Sequence, residues 1–101
     1  DYPMDAKAVE KRLKKPGVKA TLRDLVTRFG AVAAADWTAP NLEALVKGLS
    51  QGGGMGPWVH PIRVAVSGRG EGIGLFEMLQ LLGKEKTLVR LQKAADELAA
   101  S

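Results

Sequence analysis

The stretch from Pro61 to Lys86, PIRVAVSGRGEGIGLFEMLQLLGKEK, constrains the fold of this chain more than any other. It passes from an apolar, β-branched segment through a loop carrying Gly68, Gly70, Gly72 and Gly74, and then into an apolar run that closes on Leu81-Leu82-Gly83-Lys84-Glu85. Ile62, Val64 and Val66 alternate as a strand would. Pro61 and Gly68 punctuate the same segment as the first turn and the stop of a helix. A strand followed by a glycine loop and a helix would cradle a phosphate; a helix in its place gives an all-helical domain with an exposed backbone loop.

The spacing decides against the phosphate cradle. Counted from Gly68, the third glycine of G-x-G-x-x-G would fall on Ile73, and counted from Gly70 it would fall on Leu75. No Gly-Lys-Ser/Thr triplet is present, so a Walker loop is excluded. A dinucleotide site also needs a second parallel strand with an acidic residue about 20 positions on, and everything after Gly74 reads as helix.

The rest of the chain carries helix punctuation throughout. Asp5 to Lys15 reads as a short helix with Met4 or Asp5 at its cap, ended by Pro16-Gly17. Thr21 is an N-cap candidate with Asp24 three positions on, followed by Leu22, Leu25, Val26 and Phe29 at helical spacing up to Gly30. Thr38-Ala39-Pro40 opens a third helix with Leu42, Leu45, Val46 and Leu49 as its stripe, and Trp37 is expected to pack back on it. Gln51 to Pro57 reads as a glycine-rich loop. Leu75 to Leu82 and Lys84 to Ala100 are the last helices, separated by Gly83, with Leu88, Leu91, Ala95 and Leu98 as an apolar seam.

Composition narrows the function. At 46% hydrophobic and 26% charged, 101 residues make one ordinary globular domain. Without cysteine there is neither a disulfide framework nor a thiolate metal site. No segment approaches the roughly 18 apolar residues of a membrane span, and no signal peptide is read at the N-terminus. The lone His60, placed by this reading in a loop, has no second ligand for a metal, and the serines lack a histidine partner of suggestive spacing. No catalytic site is expected in this chain. The net charge is +4, and all of the excess lies in residues 1–28, where Lys7, Lys11, Arg12, Lys14, Lys15, Lys19, Arg23 and Arg28 face four acids. Such a basic element is either a footprint for a polyanion or a solvated helix face.

Pro61-Ile62-Arg63-Val64-Ala65-Val66-Ser67-Gly68, then Gly74-Leu75-Phe76-Glu77, then Leu81-Leu82-Gly83-Lys84-Glu85 and Arg90-Leu91 resemble the C-terminal anticodon-binding region of bacterial-type glutamyl-tRNA synthetases. The family writes P-L-R-x-A-L-T-G, a loop with Ser/Thr-Pro, a helix, L-L-G-K-E and a closing R-L. Asp1-Tyr2-Pro3-Met4-Asp5, Trp37-Thr38 and Leu45-Val46-Lys47-Gly48-Leu49 fit as well, so the likeness runs over nearly the whole chain.

The resemblance implies an all-α, compact bundle or cage of about five to six short helices, with the Pro61–Ser67 piece helical despite its alternation. It implies a single anticodon-binding domain over residues 1–101, cut from a longer synthetase, as the start at Asp1 rather than Met also suggests. ATP, magnesium and the ligase chemistry would then belong to a catalytic part elsewhere, and this domain would carry no cofactor and no metal. Expected partners are tRNA, tRNA-Glu first, and the parent catalytic domain; neither DNA nor a membrane is expected, and the chain is read as monomeric and cytoplasmic.

Carried over by motif, Arg63 matches the anticodon-contacting arginine, and Gly72, Ile73, Gly74 and Leu75 match the base-contacting loop. Gly72-Ile73 stands where the family has Ser/Thr-Pro, which removes a hydroxyl and a fixed φ from that loop. Arg69, Lys11, Lys14 and Lys15 are candidate phosphate contacts. Such a site suits single-stranded RNA, whose splayed bases are read by edge hydrogen bonds and stacking. Arginine offers a planar donor fork, and glycine leaves backbone groups uncovered. The rival reading is a helical protein–protein module derived from such a domain.

Overall fold

A computed structural model of the chain describes residues 3–68 and 74–100, and among these it is built from helices with no strand. Asp5 caps α1 (Ala6–Ala8), its carboxylate accepting from the Lys7 amide at 3.1 Å. The helix continues over Val9–Leu13 as a wide π-helical turn, closed by the Lys14 amide donating to the Val9 carbonyl at 3.2 Å. Expected to reach Lys15, it ends at Leu13. The remaining helices are α2 (Val18–Gly30), α3 (Ala39–Ser50), α4 (Gly56–Ser67), α5 (Leu75–Leu82) and α6 (Lys84–Glu97), with a single 3-10 turn at Ala34–Asp36.

Two helix starts differ from the sequence reading. α2 begins at Val18 behind Gly17, whose φ of +86° reverses the chain after Pro16. Thr21 therefore lies inside the first turn, where its hydroxyl donates back to the Gly17 carbonyl at 3.2 Å instead of capping. Asp24 serves as the partner of Arg28, at 2.9 Å, not as half of a capping box. The larger shift is at α4. It starts at Gly56, inside the stretch read as a loop, so Pro57 is the first-turn proline and Pro61 lies in the helix interior. Pro61 gives up a backbone bond there, and its burial together with Ile62, Val64, Ala65 and Val66 offsets that loss.

The other punctuation is used as read. Thr38 caps α3, accepting from the Asn41 amide at 3.4 Å, and Gly83 separates α5 from α6 with φ +93°. α6 stops at Glu97 rather than Ala100. Ala100 instead bridges two elements: its amide donates to the Leu13 carbonyl at 2.8 Å, and its carbonyl accepts from the Lys19 amide at 2.9 Å.

One core unites the helices. Leu13, Leu22, Leu25, Phe29, Leu42, Val46, Ile62, Leu79 and Leu91 are fully enclosed. α2 packs along α6, while α3 packs on α5. Trp37 sits at their junction, as expected of an anchor. It meets Phe29 edge-to-face with centroids 5.7 Å apart and donates from Nε1 to the Leu79 carbonyl at 2.9 Å. Thr87 is the one polar side chain in the described core, 0% exposed, and its Oγ1 has no hydrogen-bond partner. A buried hydroxyl left unpaired is destabilising. Thr87→Val, which keeps the shape and removes the hydroxyl, is expected to raise unfolding free energy by about 1 kcal/mol in urea titrations. A loss of stability would mean the hydroxyl is bonded in solution.

Candidate nucleic-acid interface

Arg63 projects from the middle of α4, half-buried, with its own carbonyl accepting from the Ser67 hydroxyl at 2.6 Å. Three residues earlier on the same helix is His60, which belongs to α4 and not to a loop. That i, i+3 spacing puts both side chains on one face. Burial holds the imidazole pKa below its ordinary value, and the positive charges of Arg12, Arg63, Lys11 and Lys15 lower it further. The depression reports a local field: cations of the first helix and the turn after it converge with Arg63 on one face of the molecule. Lys11 and Lys15, expected as phosphate contacts, thus share a region with Arg63. Lys14 faces another groove, with Met4, Ala6, Val9, Glu10 and Leu98.

Gly74 and Leu75 start α5. Gly74 is exposed at the N-cap, its carbonyl accepting from the Met78 amide at 3.0 Å. The Leu75 residue as a whole is only 4% exposed and belongs to the core. A β-carbon at position 74 would fall on the Glu77 carboxylate, which folds back over the cap. Gly72, Ile73 and Arg69 lie outside the described residues. The sequence reading counted Arg12 in the basic element without naming it as a contact, and placed His60, which this face surrounds, in a loop. Reading Pro57 as the helix start would have aligned His60 with Arg63.

The conspicuous motif residues around this face have structural duties. Arg90 Nη1 donates to the Val66 carbonyl at 2.6 Å, clamping the last turn of α4. Lys84 Nζ donates to the Val32 carbonyl at 2.6 Å, tying the start of α6 to the connector after α2. Gly68 ends α4 with φ +76°, and its carbonyl accepts from the Asp5 amide at 2.7 Å. Arg90 and Gly68 thus hold the end of α4 in place, and α4 presents Arg63.

Among the described residues the fold is all-helical, and Arg12, Arg63, Lys11 and Lys15 gather their charge around His60. The chain matches the anticodon-binding-domain family over residues 1–95 and belongs to it. It is 37% identical to the glutamate–tRNA ligase of Moorella thermoacetica over 93 residues, 90% of this chain and 19% of that protein. To the glutamate–tRNA ligase of Streptomyces avermitilis it is 44% identical over 89 residues, 85% of this chain and 17% of that protein. For the Thermus thermophilus glutamate–tRNA ligase the identity is 41% over 96 residues, 93% of this chain and 19% of that one. The crystal structure of a glutamate tRNA ligase from Elizabethkingia meningosepticum in complex with its amino acid superposes with a TM-score of 0.83 at 25% identity, over 97% of this chain and 19% of that one. The chain therefore spans about one fifth of the length of these relatives. No helix among the described residues is long and apolar enough to cross a membrane.

Proposed function

We propose that this chain binds the anticodon loop of a tRNA, tRNA-Glu in particular, as the non-catalytic part of a glutamate–tRNA ligase. Its binding selects the tRNA that a catalytic domain elsewhere charges with glutamate. The observation that carries the reading is the match to the anticodon-binding-domain family over residues 1–95, joined to a cationic face that includes the motif arginine Arg63. ATP and magnesium act in the catalytic part, and the domain works as a monomer in the cytoplasm. Base reading falls to Arg63 and to the loop of Gly72, Ile73, Gly74 and Leu75; Arg69, Lys11, Lys14 and Lys15 are the candidate phosphate contacts.

The mechanism is one of positioning and charge. Phosphate contacts dock the RNA without regard to sequence. A guanidinium then offers two parallel donors to a base edge, and a wrong base leaves those donors unpaired in a partly desolvated site. The test is equilibrium binding of the chain to tRNA-Glu transcripts altered at each anticodon base. Discrimination among anticodons is expected, and equal affinity for all of them would overturn base reading. Arg63→Ala should weaken binding to the cognate tRNA by about 1–3 kcal/mol, by analogy with bidentate contacts in duplex readout. It should also level the differences among anticodons. A uniform loss that leaves discrimination intact would reassign Arg63 to a phosphate.

A further inference from the structure

Between the end of the first helix and the opening turns of α4 lies a cleft of about 510 Å³, a volume typical of small-ligand sites. Arg12 from the first helix, Lys15 from the turn after it, and His60 and Pro61 from α4 line it together with the apolar Pro16 and Val18. No acid lines the cleft, and neither cation has a carboxylate partner among the described residues. His60 Nδ1 is buried without a hydrogen-bond partner, while its Nε2 lies on the side of Gly56, another lining residue. A neutral imidazole carrying its proton on Nε2 leaves only a lone pair unpaired at Nδ1 and turns a donor toward the cleft.

We infer that this cleft seats a backbone phosphate of the bound RNA, with Arg12 and Lys15 as its charge partners and His60 Nε2 as its hydrogen-bond donor. The inference rests on the proposed RNA-binding reading and goes further by assigning a docking point to residues outside the anticodon motif. Two unpaired cations beside a partly desolvated donor suit a fixed anion, and a phosphodiester keeps its charge at every working pH. The apolar lining residues suit the ribose flanking it. The wide π-helical turn sets Arg12, at its end, against the cleft.

His60 also makes the site measurable. It is the only histidine of the chain, so its ring resonances titrate without overlap from another imidazole. In the free protein burial and the cations Arg12, Arg63, Lys11 and Lys15 disfavour the imidazolium. From α2 the cleft is faced by Val18 and Thr21, neither of which titrates near neutrality. A phosphate beside the ring opposes that field, so the pKa of His60 is higher in the complex than in the free chain. By linkage, a group whose pKa rises on binding strengthens binding as pH falls through the interval between its free and bound values.

The test is NMR titration of His60 in the 101-residue chain, free and saturated with tRNA-Glu, alongside affinities across a salt series. A raised pKa in the complex and tighter binding at lower pH are expected. Arg12→Gln with Lys15→Gln should flatten the slope of log affinity against log salt by about 0.7 to 0.9, the weight of one phosphate contact. Lys86→Gln, at an exposed position on α6, should leave the slope as it is. An unchanged His60 titration, or a double variant with the wild-type slope, overturns the inference even when the anticodon is discriminated. Conversely, equal affinity for all anticodons together with a flattened slope sinks base reading and leaves the phosphate seat standing. Failure to retain any tRNA overturns both.

Discussion

Gly68→Ala lowers the stability of the domain by about 2–4 kcal/mol. Two costs combine. At φ +76° and ψ 2°, alanine adopts the left-handed region at about 1–2 kcal/mol. Its β-carbon would also fall on the Pro3 carbonyl oxygen and close against Met4. Those atoms are backbone and the body of a packed side chain, so the N-terminal segment has to move. The bond from the Asp5 amide to the Gly68 carbonyl, 2.7 Å long, is lost with it, at about 1 kcal/mol. Gly17→Ala is the control. Its φ is +86°, yet nothing lies within 4 Å of the added carbon, so only the backbone cost of about 1–2 kcal/mol applies. Chemical denaturation of both variants measures the difference. Equal losses would mean that the N-terminal segment does not rest on Gly68. The glycine that ends the P-x-R-x-A-x-S-G motif is thus explained by packing: it lets the chain's beginning cross the end of α4.

Much of the fold was legible because punctuation and burial agree locally. Thr38 caps α3 where its hydroxyl predicts, and Gly83 parts α5 from α6. α4 was not legible from period, for a physical reason. Ile62, Val64, Ala65 and Val66 are all buried, so this helix is apolar around much of its circumference. A helix of that kind shows only a narrow polar edge, and its β-branched residues imitate the alternation of a strand. Pro61 and Gly68 as helix punctuation, and the family motif, pointed to helix there against the period. Its start was obscured because four glycines precede Pro57, and a glycine-rich run reads as loop until tertiary packing of Trp58 and Ile62 is known.

The site was legible in part. Lys11 and Lys15 were read from charge bias and lie on the positive face, but the same bias could not separate them from Lys14, which faces another groove. Which side of a helix a lysine occupies depends on its rotation, and the π-helical turn shifts the register beyond Val9 in a way no regular period anticipates. Arg12 and His60 join the face only because the turn after the first helix brings Pro16 and Gly17 against α4. That is a long-range contact, absent from any local pattern.

Trp37→Ala is expected to have the largest effect, about 3–5 kcal/mol. For a domain of this size such a loss corresponds to a fall in melting temperature of about 12 to 40 °C, followed by far-UV circular dichroism. Trp37 is 7% exposed and fills the junction where the connector after α2 turns into α3. Truncation removes its contact with Phe29, its cover over the core, and the bond from Nε1 to the Leu79 carbonyl. Trp37→Phe separates these contributions. The Leu79 carbonyl also accepts from the Gly83 amide at 3.0 Å, so it is not orphaned when the indole N–H goes. The phenylalanine variant should therefore lose only about 1–2 kcal/mol. A loss as large as that of alanine would place the weight on the hydrogen bond rather than on packing. The junction also bears on binding. The Ala39 amide donates to Gln80 Oε1 at 2.7 Å beside it, so two contacts fix α5 against the start of α3. α5 carries Gly74 and Leu75 at its other end. In conditions where Trp37→Ala remains folded, loosening of this joint should reduce discrimination among anticodons more than the salt-dependent part of tRNA affinity. The phosphate-docking cations sit on the first helix and the turn after it, away from this joint, whereas backbone reading of a base depends on where α5 begins.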